Sequence, residues 1–549
     1  MSADTPATPR RRPLPRLTPL ALVALLLALL PTVVEAGVFD AEWRWAPLYG
    51  ADVRSLAFDP AEPRRVLAGT SAGQVYRSDD AGDSWRPAGG AAPFAGSVVG
   101  TLHFDANRPG RVWAGLWGLG GGGGLAYSDD LGTKWRRVAG GLGDEQVYAV
   151  VTVPGSPGRL YAGTRSGVYT SPDDGGSWRH LTSANPEIVT VYSLLVAPED
   201  PRTIVAGTWR RAYRSTDGGE SWQPAFEGMY YDTHLFSLHP VPSEPEQVWT
   251  STCGWVYRSD DLGASWRRFE EGFDHRRAVS FQVLPNGRLL TGTVEGIHVS
   301  LDGGEHWHRR TDPGVVAQAL AHHPANPDLV LAGTEGGGVW RSDDGGMSFH
   351  PTSRGMTNLR VPALLPRGDE LLIAVRDAGH ASGLYRLDGA GFAHEAEVPA
   401  VLALADAGGR AYAASERGLF ERGGGGWRPI PELQGQRILE LDGDGEQLLV
   451  RTGERVWERN GHGFRPLEEP PPAAPPTPPS ERTLDTGDPR YATIAFDRRG
   501  ARLLDRRSGR WLRLLVPVPD PALADAAVHG GHLYLATNGY GLIFSPLPP

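Results

Sequence analysis

The sequence predicts an all-β protein, a β-propeller of four-stranded antiparallel blades, and three observations carry that prediction. An eight-residue pattern, S-x-D-x-G-x-x-W, recurs seven times. Its serines lie 41 to 50 residues apart, the period of a four-stranded blade. Between the boxes run short apolar segments bounded by Pro and Gly turns, with nothing of convincing helical period.

In chain order, the first 36 residues read as an export signal. Arg10, Arg11, Arg12 and Arg16 precede an apolar run from Leu20 to Leu30, and Val34-Glu35-Ala36 ends on the small residue that suits a signal peptidase. The run is short for a membrane span. The expectation is therefore a periplasmic or extracellular mature chain starting near Gly37, with no membrane span unless the signal stays uncleaved as an anchor.

Residues 37–355 are expected to form seven blades. Each unit has a strand ending in a Pro turn, such as Ser55-Leu56-Ala57-Phe58-Asp59-Pro60, then a strand ending in Ala-Gly-Thr or a relative of it, such as Val66-Leu67-Ala68-Gly69-Thr70. A third strand leads into the box. The box aspartates are Asp80, Asp130, Asp173, Asp217, Asp261, Asp302 and Asp344, and the seventh box ends in Phe349 in place of tryptophan. In a tight hairpin the aspartate can accept turn N–H groups, glycine can take a positive φ, and the terminal ring can pack between blades. All seven aspartates are thus read as structural.

Residues 356–549 keep the rhythm while losing the chemistry. Hairpins ending in an aromatic recur at 384–392, 419–427 and 456–464, and a further pair spans 501–511 and 533–544. That makes about twelve blade units, arranged either as one large ring or as a seven-bladed propeller plus a smaller second propeller. Residues 469–480 contain seven prolines and read as an extended loop. The last unit lacks a fourth strand, and Glu42-Trp43-Arg44-Trp45-Ala46-Pro47 resembles the strand that follows each box, so the N-terminal strand is expected to close the last blade.

Composition excludes several functions. The chain of 549 residues carries a formal charge of −10, with Lys134 its only lysine, and no basic stripe offsets phosphate, so nucleic acid is not an expected partner. One cysteine, Cys253, excludes an intrachain disulfide framework and a cysteine zinc cluster, and its context reads as a buried small hydrophobe. The histidines His234/His239, His306/His308 and His322-His323 lack a supporting ligand pattern, and Gly118 to Gly123 joins two strands without opening a helix. No metal and no cofactor are expected.

The seven boxes resemble the BNR or Asp-box repeats of bacterial sialidase-type propellers. The longer pattern resembles the WD40/YVTN/BNR-like superfamily, which includes sortilin-type receptors, xyloglucanase-type glycoside hydrolases and Ycf48-like photosystem II assembly factors. The resemblance is strong from Trp43 to about Gly355. It implies a propeller that hosts binding proteins and enzymes alike, so the site must decide. Sialidases imply a Phe-Arg-Ile-Pro signature, which is missing here. Xyloglucanase-type enzymes imply a carboxylate in the first blade, where this sequence has Ser71, and serine cannot replace one of the two carboxyl groups of glycoside cleavage.

The residues left over by the repeat mark the candidate site. Loops between the second and third strands carry Trp117, Trp209-Arg210-Arg211 and Trp255, and the entry loops beside them carry Tyr230-Tyr231-Asp232 with His234, and Asp274 with Arg276. Trp and Tyr are good anchors and Arg binds carboxylates or stacks on rings. The expected function is noncatalytic: an extracytoplasmic binding or assembly scaffold for a protein or glycan. The alternative is a divergent Asp-box glycoside hydrolase using carboxylates among Asp232, Asp274 and Glu295.

Overall fold

The computed structural model describes residues 35–547 apart from 40–41, 91–92, 119–122, 231–233, 270, 272–276, 377–381, 445, 460–462, 469–481, 492, 498–499 and 519–522, with Glu35–Phe39 as backbone only. Residues 1–34 of the expected signal, the proline-rich segment and most of the 118–123 glycine run lie outside that set. Among the described residues the helical structure is a single 3-10 turn, Pro431–Leu433, and no helix is long and apolar enough to cross a membrane.

The described chain builds twelve sheets of four or five strands, arranged like blades. The first contains Val53–Phe58, Val66–Thr70, Val75–Ser78 and Arg86–Ala88 in that order, antiparallel throughout. Its second strand is buried at every position, as are Leu160–Thr164, Ile204–Thr208 and Leu289–Thr293. A strand covered on both faces reads as a continuous apolar run, which is why Val-Leu-Ala-Gly-Thr does not alternate.

The glycine of Ala-Gly-Thr has a steric cause. A Cβ on Gly333, in the seventh sheet, would come within 2.5 Å of Val53 Cγ1, so the first strand of the first sheet docks onto a position that only glycine leaves open. Val53–Phe58 accordingly touches both Val98–Phe104 and Ala317–His323. Trp85 ties the same seam, its N–H donating to Arg354 O and its indole Nε1 to Thr352 O, each at 2.9 Å. Further on, Arg360–Arg367 touches both Val401–Ala407 and Leu523–His529. Contacts thus join sheet seven back to sheet one, and sheet twelve back to sheet eight.

The chain's beginning is shared between the last two sheets. Glu35–Phe39 lies parallel to Arg510–Leu514, and Arg44–Trp45 pairs antiparallel with Leu542–Pro546, Arg44 opposite Phe544. Gly50–Ala51, ahead of the first sheet, pairs parallel with Thr357–Asn358, ahead of the eighth. There the Tyr76 hydroxyl bonds Asn358 and accepts the Thr357 N–H, while Asn358 Nδ2 donates to Gly539 O at 2.6 Å. Burial pushes the Tyr76 hydroxyl up to about 12.

Two devices hold the outer hairpins. In each of the seven boxes the serine hydroxyl donates to the aspartate Oδ1 at 2.7–2.9 Å. The same Oδ1 accepts the N–H four residues further on at 2.7–3.0 Å. Hydrogen bonding to the Ser221 hydroxyl and N–H holds the Asp217 carboxyl well below the usual carboxylate range. Arginines also reach between sheets, as Arg341 does to Asp83 at 2.9 Å; in sheets eight and nine, which have no box, Arg422 bridges Glu370 and Glu395, and Arg367 reaches Asp406 at 2.5 Å. The Trp427 indole also donates to Glu395, at 3.0 Å.

Candidate functional site

Strand alternation fixes which loops share an end of a sheet. Turns between strands two and three, and the segments entering the next sheet, lie at one end, and the boxes lie at the other. Trp117 ends the strand Val112–Trp117, and its ring lies 6.2 Å from Tyr148, the second residue of Val147–Thr152. Tyr148 is 5.3 Å from Tyr192, which holds the same place in Val191–Val196, and Tyr192 is 5.7 Å from Phe236. His234 lies 6.4 Å from Tyr192 and 6.2 Å from Trp209. These rings form an unbroken, half-buried arc across sheets two to five.

A single strand position generates most of the arc. The residue after the one that docks on the glycine, or on Ser251 in its place in the fifth sheet, is Arg54, Gly100, Tyr148, Tyr192, Phe236, Val279 and Gln318 in the first seven sheets. Gly100 is no gap in the series, because a Cβ there would sit 2.4 Å from the Trp117 indole nitrogen: Trp117 fills the place that tyrosine occupies next door. The opposite sector is charged, with Arg54 on Asp52 at 2.8 Å and Gln318 on Glu335 at 3.1 Å.

Cations edge the rings. Arg210 lies over Trp209 at 4.5 Å and Arg277 over Phe236 at 5.2 Å. Burial raises the hydroxyls of both Tyr148 and Tyr192, and the charges of Arg165 and Arg277 respectively oppose that rise. The Tyr148 hydroxyl donates to Gln146 Oε1 at 2.8 Å, and Gln146 Nε2 donates to Gly118 O at 2.9 Å, which fixes the ring against its loop.

Of the residues singled out from the sequence, Trp117, Trp209 and Arg210 join this arc. Tyr230 and Trp255 form a separate pair, 4.6 Å apart, with Arg268 over both rings, and Tyr230 is half exposed. Arg211 lies over Phe226 at 4.5 Å. Tyr231, Asp232, Asp274 and Arg276 lie outside the described residues. Glu295 is half-buried in the turn of sheet six, its N–H donating to Thr293 Oγ1 at 3.0 Å. Cys253 departs from its expected burial: it is half-buried in a bend after the strand ends at Ser251. Ser71 sits in the first sheet's turn, donating its N–H to Asp52 O at 3.0 Å.

Sequence reading missed Tyr148, Tyr192, Phe236 and Arg165. Aligning the seven repeats on Ala-Gly-Thr would have found the first three, since they share one column of otherwise unrelated residues. A groove of about 650 Å3 lies elsewhere: at the box end between sheets four and five, lined by Glu199, Asp200, Glu244, Glu246 and Asp260 and by no aromatic residue. The ring chemistry of the arc makes it the better candidate.

Sheets of four antiparallel strands, nested against one another and locked by Asp boxes, define a β-propeller. Residues 213–224 match the BNR/Asp-box repeat. The structure is similar to the GH74 enzyme of Niastella koreensis, with a TM-score of 0.68 and 15% identity, covering 92% of this chain and 99% of that one. It is also similar to the GH74 xyloglucanase of Xanthomonas campestris, with a TM-score of 0.57 and 16% identity, covering 92% and 100%. Ycf48 of Cyanidioschyzon merolae matches 55% of this chain and 98% of its own, with a TM-score of 0.44 and 15% identity. At these identities the first two likenesses speak for the fold. No curated protein matches the sequence.

Proposed function

We propose that the chain is a noncatalytic, extracytoplasmic recognition protein, built as a seven-bladed propeller (37–355) followed by a smaller ring (356–549), that binds a protein or glycan through the arc. The observation that supports it is the run of ring contacts from Trp117 through Tyr148 and Tyr192 to Phe236. Four neighbouring sheets each place an aromatic there, although the fold tolerates Arg54, Val279 or Gln318 at the same position. Half-buried aromatic rings offer large contact area at low entropic cost, the composition of binding hot spots. Export is supported by the Arg-then-apolar leader pattern.

The test is affinity capture of glycans and proteins from envelope extracts by the mature chain and by two variants. Trp117→Ala/Tyr192→Ala/Trp209→Ala should lose the captured material while keeping its far-UV spectrum and melting transition. Glu199→Gln/Glu246→Gln, at the box end, should keep it. Equal capture by all three proteins would contradict the proposal.

A further inference from the structure

From the charges around the arc we infer that its ligand is an acidic polysaccharide, a polyuronate whose sugar rings lie on Trp117, Tyr148, Tyr192 and Phe236 and whose carboxylates meet Arg165 and Arg277; this rests on the recognition reading above. Several arginines elsewhere in the molecule are tied to carboxylates, and these two, among the described residues, are not. Arg54, Arg111, Arg258 and Arg341 each hold an aspartate at 2.7–3.0 Å. Among the described residues no carboxylate lies within 4.0 Å of the exposed Arg165 or Arg277 guanidinium. Both flank the arc: Arg277 lies over Phe236 at 5.2 Å, and Arg165 N–H donates to Gln146 O at 3.0 Å while its carbonyl accepts the Thr190 N–H at 2.8 Å, between Tyr148 and Tyr192. Glu145, which also faces Tyr148, accepts the Ser166 hydroxyl at 2.7 Å.

Two flanking cations with no carboxylate partner among the described residues, beside rings that are only half covered, fit a ligand bearing both apolar faces and fixed negative charges. Guanidinium groups bind carboxylates in a planar fork, and aromatic rings accept the C–H face of a pyranose by burying it. Successive centroids lie 6.2, 5.3 and 5.7 Å apart, a regular spacing that suits a polymer of repeating rings.

An acidic peptide fits less well. Peptide recognition by propeller or sheet edges draws on main-chain pairing, and here the backbone along the arc is already engaged. Leu235 N–H donates to Thr208 O, Phe236 N–H to Ser251 O, and Ala278 N–H to Thr252 O, each at 3.0 Å.

The experiment is affinity electrophoresis of the full mature chain through gels containing polygalacturonate, its methyl ester, or poly-glutamate. Polygalacturonate should retard the protein, and added salt should weaken the effect. The methyl ester, which keeps the rings and removes the charge, should bind about tenfold more weakly, and so should Arg165→Ala/Arg277→Ala towards the acid form. Both arginines are exposed, so that variant is expected to fold.

Equal binding of the ester, an unaffected arginine variant, or no retardation by polygalacturonate would overturn the inference. So would poly-glutamate binding as tightly as the sugar polymer, which would mark an acidic protein as the ligand. In each of these cases the recognition proposal stands if the Trp117/Tyr192/Trp209 alanine variant still abolishes capture, and falls with the inference if it does not.

Discussion

In sheets one to seven each outer hairpin is held from within, by an aspartate that gathers a serine hydroxyl and turn N–H groups a few residues away. In sheets eight and nine the hairpins are held from outside, by Arg422 and Arg367 reaching the carboxylates of a neighbouring sheet. The first device needs a fixed local spacing and therefore repeats in sequence. The second needs only opposite charges brought together by the fold, so it leaves no repeat. The difference also bears on function, because the box closes one end of each hairpin and leaves the other end free to vary, and the arc has grown on that free end.

Acid should separate the two regions most. His103 and His239, in sheets two and five, are half-buried, and desolvation lowers both to about 4. Between the unfolded histidine value near 6.5 and pH 4, the unfolded chain takes up protons that the folded one refuses. Stability present above pH 6.5 is thus lost as pH falls through that window, by at most about 3 kcal/mol per histidine. Denaturant titrations across it should show the first region weakening, and His103→Gln/His239→Gln should flatten the dependence. An unchanged slope would mean that these rings are hydrated in the folded protein.

Next in size is Glu395→Ala. It strips a shared partner from Arg422, Arg386 and Trp427 and should cost about 2–3 kcal/mol, read as a lower denaturation midpoint with increased proteolysis within 356–547. Asp80→Ala should cost about 1–2 kcal/mol, from the loss of bonds to Ser78 and Ser84, with faster amide exchange confined to the first box. Smallest is Arg179→Ala, which breaks the exposed pair with Glu220 between sheets three and four. Its effect on the melting temperature should lie within error, because solvent screens such pairs. A large effect would show that charge pairing between sheets matters in the first region too.

The fold class was legible because seven boxes at one spacing admit few alternatives, and Ala-Gly-Thr was visible as a landmark before its cause was. That cause, Val53 packing onto Gly333 and its equivalents, joins residues of different repeats and cannot be read along the chain. The candidate site was legible at its ends. Trp117 and Trp209 stand out where a loop normally carries Gly or Ser, whereas Tyr148 and Tyr192 lie inside ordinary apolar strands, where an aromatic draws no notice. The ring contacts that connect them span 31 and 44 residues of sequence. The Glu370–Arg422–Glu395 network was invisible for a related reason, since arginine and glutamate occur throughout this chain.

The most direct measurement is hydrogen–deuterium exchange of the mature chain with and without polygalacturonate. Slower exchange is expected at 146–148, 164–167, 190–192, 208–211 and 234–236, with the box turns and residues 356–547 unchanged. Protection centred on the box turns or on the second region, with the arc unaffected, would contradict the assignment of the arc as the recognition face.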